Sequence, residues 1–127
     1  YEALRRGDLP RLLACVAEDV VIDRPALLAW DSVQRGRDYF ARTIARMISC
    51  AEFKITGSDI FEGDSDVVGT LAYTLTARRT GETMNVKIVE VFGFENGLIS
   101  RIDVYDKHPA SLTAFLERAE AGAQAVP

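Results

Sequence analysis

From Glu52 to Tyr105 four strand-like runs follow one another, roughly Glu52 to Phe61, Asp66 to Arg78, Thr83 to Phe94 and Leu98 to Tyr105. Side chains alternate across a strand, so each run predicts a β-strand. The breaks "EGDSD", "RTGE" and "ENG" carry turn chemistry, so the four runs read as an antiparallel meander. The first fifty residues follow a different period. A short helix ends at Gly7, and a second begins at Asp8, a suitable N-cap, with Pro10 in its first turn. Leu9, Leu12, Leu13 and Val16 form the apolar stripe of that second helix. "VVIDRP" predicts a short strand stopped by Pro25, and "ALLAWDSVQRG" a loop. Asp38 to Ser49 predict a helix with Phe40, Ile44, Met47 and Ile48 on one side. "HPASLTAFLERAEAG" closes the fold as a helix. The fold class is α+β: helices cover one face of a curved, largely antiparallel sheet. A single domain over residues 1–120 is expected, with 121–127 as a flexible C-terminal tail. A curved sheet with helices on its concave side encloses a pocket, the default place for a ligand.

One position breaks the pattern. In "NVKIVEVFGF" (85–94), Ile88, Glu90, Phe92 and Phe94 share one strand face, while Lys87, Val89 and Val91 share the other. Both faces are largely apolar, as expected when both are covered. A carboxylate there costs several kcal/mol, roughly, unless something pairs with it. Glu90 therefore needs a partner.

The remaining chemistry narrows the classes. At 127 residues, 48% hydrophobic and 27% charged, the chain suits one globular domain. Its Lys and Arg residues are scattered and its net charge is -4, so no nucleic-acid footprint exists. No apolar run reaches the ~18 residues that a membrane span needs. Cys15 and Cys50 form no CxxC and no cluster with histidine, which argues against a metal site. Both read as reduced packing residues. No nucleotide motif implies a cofactor, no signal-peptide pattern appears, and a cytoplasmic location is expected.

"GDLPRLLACVAEDVVIDRP", then a loop and "RGRDYF", resembles the opening of the nuclear transport factor 2-like superfamily. The similarity is to its SnoaL-like, ketosteroid isomerase-like and limonene-epoxide hydrolase-like members. "VEVFGFENGLISRIDVYD" resembles their last two strands. The resemblance implies a cone whose pocket is lined by alternate sheet residues, and an outer sheet face that forms a homodimer interface. It implies inward positions at Ile22, Arg24, Leu71, Tyr73, Leu75, Ile88, Glu90, Phe92, Ile102, Val104 and Asp106. Lys87, Arg101, Asp103 and Tyr105 then face outward. Glu90 occupies the place where the isomerases hold a protonated acid that binds the substrate oxyanion. Arg24 stands at their aspartate base, and their oxyanion tyrosine falls just before Tyr1. The water-holding residues of the epoxide hydrolases fall at Ile22 and Arg24, and their arginine and aspartates at Leu71, Tyr73 and Val104. An acid/base aspartate is expected on the last strand of the cyclases; Asp103 lies near, turned inward only by a one-residue slip.

The leading expectation is a small-molecule enzyme of isomerase, cyclase or hydratase/hydrolase type. Its substrate is apolar and oxygenated, such as a polyketide, steroid or terpenoid. Glu90, Arg24 and Asp106 are its candidate catalytic residues. Ile22, Trp30, Leu71, Tyr73, Ile88, Phe92, Ile102 and Val104 are its candidate substrate contacts. Each has a plainer alternative. Arg24 and Glu90 form either a working ion pair or a structural one; Asp106 lines the pocket or caps the closing helix. Tyr73 donates a hydrogen bond or serves as wall; Trp30 is a lid or a dimer contact, and Asp31 beside it a solvated loop residue. His108, the lone histidine, marks an exposed helix start. The alternative for the whole chain is a non-catalytic ligand-binding or dimeric interaction module.

Overall fold

The computed structural model describes residues 1–24 and 33–124, so Trp30 and Asp31 lie outside the described residues. The elements run α1 (Glu2–Arg5), α2 (Leu9–Ala14), β1 (Val16–Asp23), β2 (Val33–Arg35), α3 (Arg37–Cys50), β3 (Ala51–Glu62), β4 (Val67–Ala77), β5 (Thr83–Glu95), β6 (Leu98–Asp106) and α4 (Pro109–Gln124). The last four strands fall where the alternation places them. Asn96 and Gly97 both adopt positive φ, 53° and 79°, which the tight turn between β5 and β6 requires. Asp8 caps α2 by accepting from the Arg11 amide.

Three boundaries differ from the sequence expectation. Helix α2 stops at Ala14, and Val16 is the first residue of β1 rather than the last of a helical stripe. Val16 is 1% exposed and pairs in parallel with Ile99, whose amide donates to the Cys15 carbonyl. The run of β-branched residues after it favours the strand. The expected loop contains β2, which pairs antiparallel with β1 and buries Gln34. Helix α4 continues to Gln124, so residues 121–124 are helical rather than tail. Cys50 is buried as expected, but Cys15 is an exposed C-cap and packs into no core. Both thiols are free.

The six strands form one mixed sheet in the order β2-β1-β6-β5-β4-β3, parallel only between β1 and β6. Bulges between Ile55 and Gly57 and between Gly93 and Phe94 add twist and help curl the sheet. Inward residues of β4, β5 and β6 are buried against α3 and α4. Leu112, Phe115, Leu116 and Ala119 of α4 complete this core. Arg46 of α3 donates to Glu120 of α4 at 2.8 Å and ties the two helices. Helices cover one face only. On the other, Val89 is 39% and Tyr105 62% exposed, so the expectation that both faces of β5 are covered fails for the single chain.

Candidate functional site

Helix α3 is amphipathic, yet its apolar residues Phe40, Ile44 and Met47 are only half-buried. The reason is a cavity of about 830 Å³ between the sheet's inward face and helices α1 to α3. Ile48, expected on the same stripe, is exposed at its edge. The wall is mostly apolar: Leu71, Ile88, Phe92, Ile102 and Val104 line it, as does Tyr73, stacked at 4.4 Å on Phe53. Ile22 points inward but is buried in the core and is not part of the wall.

Two polar stations interrupt this wall. At the first, the Tyr1 hydroxyl donates to Glu90 Oε1 at 2.8 Å, and the Tyr1 ring stands edge-on to Phe92 with centroids 6.0 Å apart. Burial pushes the Glu90 carboxyl above the usual carboxylate range; the Tyr1 hydrogen bond and Arg24 pull against it, and Asp106 adds to the rise. Burial, followed by the Glu90 charge, raises the Tyr1 phenol as well. At the second station, Arg24 Nη2 lies 3.7 Å from Asp106 Oδ2, with side chains 13% and 1% exposed. Arg24 lines the cavity while Asp106 sits behind it. Burial raises the Asp106 carboxyl and Arg24 opposes the rise. Among the described residues Arg24 Nε and both Asp106 carboxyl oxygens have no hydrogen-bond partner.

The expected Arg24–Glu90 pair is therefore not formed: Arg24 pairs with Asp106, and Glu90 with Tyr1. Strand order explains the exchange. Strand β6 lies between β1 and β5, which sets Arg24 about two strand spacings, roughly 10 Å, from Glu90. Asp106, on the adjacent strand, is the carboxylate within reach. Among the described residues neither Asp106 oxygen accepts a hydrogen bond, so it caps no amide of α4, and His108 is exposed at that helix start. Asp103 faces outward and bonds Arg101, so no register slip brings it into the cavity. Tyr1 escaped the sequence reading because its contact with Glu90 spans 89 positions and no local pattern marks it. Two signals pointed towards it: Glu90 lacked a partner, and the resemblance put an oxyanion tyrosine just before Tyr1.

Residues 1–102 match the model of the SnoaL-like domain. The chain belongs to the SnoaL-like family. Among solved structures, this SnoaL-like chain is similar to a candidate polyketide cyclase from Xanthomonas campestris pv. campestris, at 24% identity and TM-score 0.74 over 94% of this chain and 90% of that one. A nuclear transport factor 2-like protein of unknown function from Burkholderia pseudomallei is 26% identical, with TM-score 0.75 over 94% and 89% of the two chains. A protein of unknown function with a cystatin-like fold, from Xanthomonas campestris, gives TM-score 0.79 at 21% identity over 91% and 90%. No curated protein is a significant match. Among the described residues no helix is long and apolar enough to cross a membrane, and no cluster of His, Cys, Asp and Glu has the arrangement of a metal site.

Proposed function

We propose that this SnoaL-like chain is an acid/base enzyme acting on an apolar carbonyl compound, of the isomerase, cyclase or hydratase/hydrolase type. The observation that carries the reading is Glu90, a carboxyl that burial raises above the usual range, hydrogen-bonded to a phenol inside a largely apolar cavity. In its protonated form it donates to a substrate carbonyl and takes its proton back when the carbonyl re-forms. The Tyr1 hydroxyl turns from Glu90 to the same oxygen as a second donor. Both are half-buried in the cavity wall, where donors aimed at developing negative charge gain from partial desolvation. Arg24 is the cation on the wall that stabilises negative charge developing on that oxygen. Asp106 touches no substrate and acts by holding Arg24. A cavity of about 830 Å³ accommodates a polyketide, steroid or terpenoid skeleton. Structural likeness to a candidate polyketide cyclase and to a candidate isomerase from Bacillus subtilis agrees with this class.

The test is turnover of a panel of aromatic polyketide, steroid and terpenoid ketones by the wild type and by Glu90→Gln. The variant should lower turnover by about 10²–10⁴-fold, the contribution of one acid/base group, with ligand affinity little changed. Full activity in Glu90→Gln removes Glu90 from the mechanism. One observation favours a second reading, a non-catalytic binding module: Glu90 and Arg24 each already have an intramolecular partner. In that case ligands bind to both proteins and neither turns them over.

The assembly we infer is a homodimer through the outer sheet face. Val89 and Tyr105 are exposed there beside a second concavity of about 580 Å³. Two free thiols fit a reducing, cytoplasmic setting.

A further inference from the structure

Along the inward face of β4 the sequence runs Val67, Gly69, Leu71, Tyr73, Leu75. Four of these positions fill space and one is empty. Glycine weakens a strand interior, because it packs nothing and loses more conformational freedom than any other residue. The backbone at Gly69 is ordinary extended strand, so no unusual φ demands it. The demand comes from above. Gly69 pairs across the sheet with Glu90. A Cβ built on it would overlap the Tyr1 hydroxyl oxygen, lie 2.8 Å from Tyr1 Cζ and lie 3.0 Å from Phe92 Cε2. Tyr1 thus occupies the volume that any other residue at position 69 would claim, and from that volume its hydroxyl reaches Glu90.

We propose that Gly69 is a positioning residue: the missing side chain is the seat that lets the Tyr1 hydroxyl bond to Glu90. Any larger residue lifts the Tyr1 ring off the cavity floor and breaks that bond. The inference builds on the Tyr1–Glu90 pair of the proposed function, but it is tested on the hydrogen bond itself. It therefore stands or falls separately from turnover: full activity in Glu90→Gln would defeat the acid/base reading and leave the seat untouched.

The groups that act on Glu90 are Tyr1, Arg24 and Asp106, with Tyr73 in the same field. Of these, substitution at position 69 moves only Tyr1. The measurement is the side-chain carboxyl ¹³C titration of Glu90, assigned with Glu90→Gln, in wild type, Gly69→Ala, Tyr1→Phe and the double variant. The Tyr1 hydrogen bond favours the carboxylate, so its loss moves the Glu90 midpoint to higher pH. Both single variants should show that rise, and the double variant should rise no further than Tyr1→Phe alone. A wild-type midpoint in Gly69→Ala overturns the proposal, as does a rise that adds fully to that of Tyr1→Phe. Thermal unfolding provides the independent arm. Gly69→Ala should lower Tm in the native background, and leave it unchanged or raise it in a Tyr1→Ala background, where the seat is vacant. Should Gly69→Ala not fold in the native background, folding of the Tyr1→Ala, Gly69→Ala double variant supports the proposal and its failure to fold overturns it.

Discussion

Replacing Arg24 with methionine should destabilise the chain in a way that depends on pH and is cancelled by a second substitution. At 3.7 Å, two unit charges attract by about 4–5 kcal/mol at an effective dielectric constant of about 20. Against this stands the cost of burial: Asp106 is 1% exposed, and neither of its oxygens has a hydrogen-bond partner. Arg24→Met removes the attraction and leaves the cost, so the loss at pH 8 should be about 3–5 kcal/mol, the usual penalty for stranding a buried charge. Asp106 can escape by taking up a proton. Its folded-state carboxyl already lies above the ordinary aspartate value of 3.8, and without Arg24 it lies higher still. A raised folded pKa means that the native state binds more protons than the unfolded one, so stability falls as pH rises from 3.8 through the folded value. The variant should therefore be closest to wild type in acid and furthest from it at pH 8. Adding Asp106→Leu removes the stranded charge. Since Arg24 Nε and both Asp106 oxygens make no hydrogen bonds, the apolar pair should equal or exceed wild-type stability. Urea unfolding followed by circular dichroism at pH 5 and pH 8 measures all three proteins. A loss below about 1 kcal/mol at pH 8 in Arg24→Met, or a double variant less stable than the single one, would refute the reasoning.

The same linkage applies to Glu90, whose folded carboxyl is raised from 4.5 mainly by burial: Glu90→Gln should gain stability relative to wild type as pH climbs above that value, read from unfolding midpoints across the pH range. Asp103→Asn alters an outward residue bonded to Arg101, so stability should change by no more than about 0.5 kcal/mol and turnover should stay at wild type, as denaturation and rate assays will report. Sedimentation at micromolar concentration should give a dimer for the wild type and a monomer for Val89→Lys with Tyr105→Glu, because both side chains sit exposed on the outer face.

The meander was legible because a strand's period is local. Alternation in "VVGTLAYTLTA" or "LISRIDVYD" is enough to place β4 and β6 and to say which side chains share a face, while the resemblance says which face turns inward. Where a signal is short or shared, it fails. Three residues are too few to show a period, so β2 reads as loop. Val16 fits a helical stripe after Leu12 as well as it fits a strand before Val20, and pairing with Ile99, far along the chain, decides between them. Direction and partnership separate in the same way at the site. Glu90 and Arg24, which the resemblance turns inward, both line the cavity, and Asp106 sits behind Arg24. Who pairs with whom depends on strand order, which no window of sequence contains.

The parallel contact of β1 with β6 has a consequence for the order of folding. Strands β3 to β6 follow one another along the chain, and each closes on its neighbour through a short loop. Val21 must find Arg101 across some eighty residues. Closing so large a loop costs entropy that only the finished ladder returns, which makes this seam a late event. Arg24 sits on the late strand and Asp106 on the early one. The meander can thus form with its carboxylates still in water, and the docking of β1 is the step that desolvates Asp106 and delivers its cation at the same moment. A chain halted before that step holds most of its sheet and no charged wall. Amide exchange should therefore open the β1 ladder while β4 and β5 stay protected.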